Sequence, residues 1–126
     1  MRGSVEAVET YSPRELCAAA GVSSQVLDYW ARTALVVPEP EGGYSSRSVS
    51  LAVVLGRASA LGAAGPALAR IAARLSGPTT GWPDDLWLSE RGEVSVSDDA
   101  AAAIVLHVRR VLASAGTLLM HALSAA

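Results

Sequence analysis

The sequence predicts a mostly helical protein: two short helices around a tight turn, a small hairpin, two more helices, then a second hairpin and a C-terminal helix. Three observations carry this. Helix-starting and helix-ending residues recur at short intervals over residues 11–75. Apolar residues fall at helical spacing between them. The composition is rich in small aliphatic side chains and poor in aromatics, at 51% hydrophobic with no Phe in 126 residues, which suits closely packed helices better than a sheet sandwich.

Residues 1–10 show no periodicity and read as a flexible arm. Ser12-Pro13-Arg14-Glu15 reads as a helix start, with Ser12 as cap, Pro13 in the first turn and Glu15 completing a capping box. Gly21 tolerates positive φ and ends this helix. Ser23 caps a second helix, in which Val26, Leu27 and Trp30 are the apolar positions. Two short helices joined by Gly-Val-Ser form a helix-turn-helix. Leu35-Val36-Val37 then reads as a strand, Pro38 to Gly43 as a turn, and Tyr44 as the return: a hairpin the size of a wing. Ser45 caps a third helix carrying Val49, Ala52, Val53, Gly56 and Ala60. Pro66 opens a fourth, with Leu68, Ile71, Ala72 and Leu75 inward.

Residues 76–83 read as a linker. Leu86-Trp87-Leu88 and Val94-Ser95-Val96 flank a turn and predict a second hairpin. Ser97-Asp98-Asp99 suits the start of a last helix. There Ile104, Val108, Val111, Ala115, Leu118 and Ala122 recur at spacings of four and three, a heptad-like stripe expected to serve a dimer or partner interface. Residues 84–126 are thus read as hairpin plus dimerisation or partner helix.

All ten basic residues are arginine, and the net charge is −2. Residues 1–75 carry net +1 and residues 76–126 net −3, so the basic bias expected of a nucleic-acid binder is slight. Cys17 is the only cysteine, which excludes an internal disulfide and fits a reducing compartment. It is read as a small core residue. No secretory signal and no apolar run of about 18 residues occurs, so a soluble, cytoplasmic protein is expected. His107 and His121 are too far apart on one helix to share a metal. No nucleophile-base set, phosphate-cradling glycine loop or metal spacing occurs, so neither an enzyme nor a cofactor is expected.

The string Gly21-Val22-Ser23 followed by Leu27-Asp28-Tyr29-Trp30-Ala31-Arg32-Thr33 resembles MerR-family regulators, and in particular an actinobacterial subgroup with the string LDYWART. The likeness continues through a Leu-Val run, a proline, a wing, and Tyr44-Ser45-Ser46-Arg47, and covers about residues 11–75. Arg57 and Gly62 also fall at familiar places. It implies a winged helix-turn-helix whose second helix enters the major groove of double-stranded DNA. On that likeness Ser23, Ser24 and Gln25 are the candidate base readers, since the first turn of such a helix reaches base edges and Gln pairs with adenine. Tyr29 and Arg32 are candidate phosphate contacts, with Arg14 and Arg47 as further ones. Bland alternatives stand beside these: Trp30 as core, Tyr29 as core or contact, Arg32 as a solvated helix end, Ser23 as a cap first, and Arg47 as partner of Glu39 or Glu41.

Many family members carry Arg where this chain has Asp28, although the LDYWART subgroup shares the Asp. The wing holds Glu39 and Glu41 and no base before Arg47. Carboxylates beside phosphates weaken the counterion-release contribution, so an isolated monomer is expected to bind weakly, and dimerisation or a partner to restore affinity. The intervening linker and hairpin distinguish the chain from relatives that dimerise directly after the fourth helix. The leading function is a dimeric, DNA-binding transcriptional regulator, nucleoid-associated when bound. The alternatives are a protein-interaction module on the same fold, acting through a partner regulator, and a small-molecule sensor built around Trp82 and Trp87.

Overall fold

The computed structural model describes residues 10–98 and 101–115. A helical core is flanked by two small antiparallel sheets. In order, the elements are β1 (Thr10–Tyr11), α1 (Pro13–Ala20), α2 (Ser24–Arg32), β2 (Tyr44–Ser45), α3 (Ser46–Ala60), α4 (Gly65–Arg74), a 3₁₀ turn (Thr79–Gly81), β3 (Asp85–Leu88), β4 (Val94–Ser95) and β5 (Ile104–His107). A helix α5 follows over residues 108–115.

The local signals act as their chemistry dictates. The Ser12 hydroxyl accepts from the Glu15 amide while the Glu15 carboxylate accepts from the Ser12 amide at 2.8 Å, a complete capping box. Gly21 closes α1 at φ 69°. Ser23 and Ser45 cap α2 and α3 through their hydroxyls.

α3 is the buried axis. Leu51, Ala52, Val53, Val54, Leu55 and Ala58 on it are all buried, and α1, α4 and β5 contact it. α1 crosses it at Gly56. A Cβ on Gly56 would run into the backbone carbonyl oxygen of Ala20 and lie 3.3 Å from Val22 Cγ1, so the close approach of α1 depends on the missing side chain.

The segment read as a wing departs from expectation. Leu35-Val36-Val37 forms no strand. Val36 is buried in the core, and the Val37 carbonyl accepts from the Ser48 hydroxyl at 3.3 Å. The loop closes on itself, with the Glu39 amide donating to the Gly43 carbonyl at 2.8 Å. The return strand β2 pairs instead with β1, Tyr11 opposite Tyr44 and Thr10 opposite Ser45. Thr10 therefore belongs to a sheet and not to an arm.

The second hairpin forms as expected, with Trp87 opposite Ser95 and Leu88 opposite Val94. A third strand lies along its other edge: β5 pairs with β3 in register Asp85–His107 through Leu88–Ile104. Ile104 is thus a strand residue and not the start of the last helix, which begins at residue 108. The run Ile-Val-Leu suits a pleated, half-buried surface, and pairing with β3 outweighs the helical spacing. Ser97 starts no helix; its amide donates to the Ser95 hydroxyl.

Arginines tie the halves together. Arg70 donates to the carbonyls of Arg91 and Gly92, and Arg74 to that of Val94, fastening α4 to the β3–β4 hairpin. Residues 76–83, read as a linker, are anchored too: Trp82 is buried, and its Nε1 donates to the Gly77 carbonyl. One buried cluster runs from Leu16 to Ala115.

Candidate nucleic-acid interface

α2 has one face in and one face out. Leu27 and Trp30 are 2% and 3% exposed and pack into the core. Ser23, Ser24, Gln25, Val26, Asp28, Tyr29 and Arg32 are exposed. The leading edge of the helix therefore meets solvent, and the two side chains that hold it are apolar and buried. The Gly21 turn sets its direction: the amides of Gly21 and Val22 both donate to the Cys17 carbonyl, and Ser23 starts the next helix at once.

The far end of α2 is closed by a Schellman arrangement. The Leu35 amide donates to the Trp30 carbonyl at 2.8 Å and the Ala34 amide to that of Ala31 at 3.2 Å. Ala34 occupies the left-handed position at φ 60°, where glycine is the usual residue. This turn sends the chain back inward and buries Val36.

Each candidate residue has a definite place. The Ser23 hydroxyl accepts from the Val26 amide at 3.2 Å, so it serves first as cap. Ser24 and Gln25 are exposed on the first turn. Tyr29 is 57% exposed, not core. Arg32 is exposed, with a long 3.4 Å contact from Nε to the Asp28 carbonyl. Arg14 is exposed on α1. Arg47 makes bonds that its sequence position did not announce: its Nε donates to Gly77 O at 2.6 Å and an Nη to Leu75 O at 2.9 Å. It closes the C-terminal end of α4 and pairs with neither Glu39 nor Glu41.

Cys17 is half-buried beside this face. Burial, and then the negative charge of Asp28, push its thiol above the ordinary range. The same two causes, with Cys17 adding less, raise Tyr44. Asp28 thus projects negative charge back onto α1 and β2 as well as outward.

In the last helix, Val108, Val111 and Ala115 are buried in the chain's own core, while Ile104 on β5 is half-buried. Leu118, Ala122 and His121 lie outside the described residues. Trp87 is half-buried on β3.

No known family model matches this chain, and no curated protein is significantly similar to it. Among the described residues no helix is long and apolar enough to cross a membrane.

Sequence reasoning missed four features: strand β1, the clamp formed by Arg47, the pairing of β5 along β3, and the left-handed Ala34. The first two join residues about 30 positions apart and carry no local signature. Ala34 had only a weak signal, since about a third to a half of helices end on a left-handed residue and no glycine stands near the end of α2.

Proposed function

We propose that this protein is a DNA-binding transcriptional regulator of MerR-like type that offers the first turn of α2 to the major groove. The observation that carries the reading is the solvent exposure of Ser24 and Gln25 on a helix anchored from behind by Leu27 and Trp30. Gln25 reads a base edge, and Tyr29, Arg32 and Arg14 hold phosphates. Arg47 supports the fold through the Gly77 and Leu75 carbonyls. With so few free cations near α2, two chains act together on paired half-sites. Val108, Val111 and Ala115 face the chain's own core, so pairing uses a different surface.

The test is fluorescence anisotropy of a labelled duplex of about 30 base pairs, long enough for two half-sites one turn apart. Its sequence comes from selection on random DNA. The expected result is a steep salt dependence. Arg32→Ala weakens all sequences alike and lowers the salt slope by about 1, whereas Gln25→Ala relaxes preference at one position. Anisotropy that stays flat at about 10 μM protein and low salt, weaker than ordinary non-specific binding, overturns the reading.

One observation favours a second reading. The outward surface of α2 and the following loop is also apolar, with Val26 37%, Tyr29 57% and Val37 54% exposed. Together with exposed Glu41, this suits a protein partner better than a phosphate backbone. Flat DNA titrations accompanied by partner binding that Tyr29→Ala abolishes would establish it.

A further inference from the structure

A groove of about 330 Å³ lies between the end of α3 and the start of α5. Its polar wall includes Arg57, Arg110, His107 and Ser114, and its apolar wall includes Leu61 and Val105. Leu61 is 49% exposed. The volume falls at the small end of the range for small-molecule sites, and mixed apolar and convergent polar walls are their common composition.

The charge balance is uneven. Arg109 and Arg110 are consecutive in the first turn of α5, where the helix dipole already presents positive potential. Asp84 neutralises Arg109, with Oδ1 accepting from Nε at 2.6 Å. Arg110 has no such partner among the described residues. Arg57, in the last turn of α3, has none either. Among the described residues neither guanidinium makes a hydrogen bond or an ion pair, and the chain after Arg110 contains no Asp or Glu. His107 is fixed at the rim by its Nδ1, 2.8 Å from Asp85 Oδ1, which leaves Nε2 as the ring nitrogen open to a ligand.

We propose that this groove binds a small organic phosphate. The phosphate monoester sits between Arg57 and Arg110, whose planar donors match its oxygens. A short apolar body lies over Leu61 and Val105. The dianion balances two cations that find no acidic partner among the described residues. The proposal is independent of DNA binding by α2.

Isothermal titration of the full chain with phenyl phosphate tests it, with inorganic phosphate and a duplex DNA as comparison ligands. One phenyl phosphate binds per chain with Kd on the order of 0.1–1 mM, the range open to so small a ligand. Inorganic phosphate binds about tenfold more weakly, because it forgoes the apolar wall. Arg57→Met and Arg110→Met each weaken phenyl phosphate by about tenfold to a hundredfold. Arg109→Met stays within about twofold of the parent, since its charge is already spent on Asp84. Circular dichroism confirms the fold of each variant, and Arg110→Gln replaces any that fails. No heat at about 5 mM phenyl phosphate overturns the proposal. So does an equal loss in Arg109→Met, which would mark a diffuse charge effect. If both groove variants weaken DNA while phenyl phosphate never binds, the groove belongs to a nucleic-acid track and the proposal fails.

Discussion

Replacing Gly56 by alanine sets two effects of opposite sign against each other. In a helix interior alanine is favoured over glycine by about 1 kcal/mol. On α3, however, the new methyl would meet the Ala20 carbonyl oxygen and press on Val22. Overpacking costs about 1–3 kcal/mol when side chains can yield. Here the obstacle is backbone at the last residue of α1, which can move only by displacing the Gly21 turn, so the upper figure applies. The balance is a loss of about 2 kcal/mol, which for a chain of this size is a fall in Tm of about 6–10 °C. Urea unfolding followed by circular dichroism should show the midpoint lowered by about 1 M with an unchanged slope. A midpoint equal to the parent's, or higher, would refute the claim that α1 and α3 touch backbone to helix at this point.

Ala34→Gly should stabilise the protein by about 0.5–1 kcal/mol, read in the same urea assay, because relief of left-handed strain exceeds the added freedom of the unfolded chain. Arg47→Met should destabilise it by about 1–2 kcal/mol through loss of the bonds to Leu75 and Gly77, and amide exchange near residues 75–77 should quicken. Stability should decline as pH rises above about 8, because Cys17 and Tyr44 are raised in the folded state by burial first and then by Asp28. The unfolded chain loses these protons first, so their contribution is present below the ordinary pKa values and disappears as pH passes the folded ones. Asp28→Asn should flatten that decline in a pH series of urea midpoints.

What could be read from the residues alone closes within three or four positions. Ser12 with Glu15, Gly21, Ser23 and Ser45 each satisfy their own neighbours, so the helix boundaries of α1, α2 and α3 follow from chemistry next to them. The inward face of α4 followed from spacing for the same reason, as did Leu27 and Trp30 on α2, whereas Val26, grouped with them, is exposed. The run from Ile104 to Val108 was ambiguous, because its apolar residues satisfy a helical stripe and a strand equally. Pairing with residues 85–88 decides it, and no local signal reports a partner some 20 positions away. The wing misled in a related way. Leu35-Val36-Val37 has strand composition, yet Val36 is drawn into the core and Tyr44 finds Tyr11 instead. At the candidate interface, exposure of Gln25 was foreseeable from Leu27 and Trp30. The diversion of Arg47 to two carbonyls was not, because those acceptors exist only once α4 has ended beside α3.

The arginine ties from α4 to the hairpin bear on how the molecule can be dissected. Leu86, Leu88 and Leu106 share the interior with Leu55 and Ile71, so cleaving the chain near Ser76 would peel a lid from the central helix and leave Arg70 and Arg74 without their carbonyl acceptors. Residues 11–75 thus share their interior with the C-terminal sheet. The C-terminal sheet and the outward-facing α2 therefore rest on one continuous buried interior.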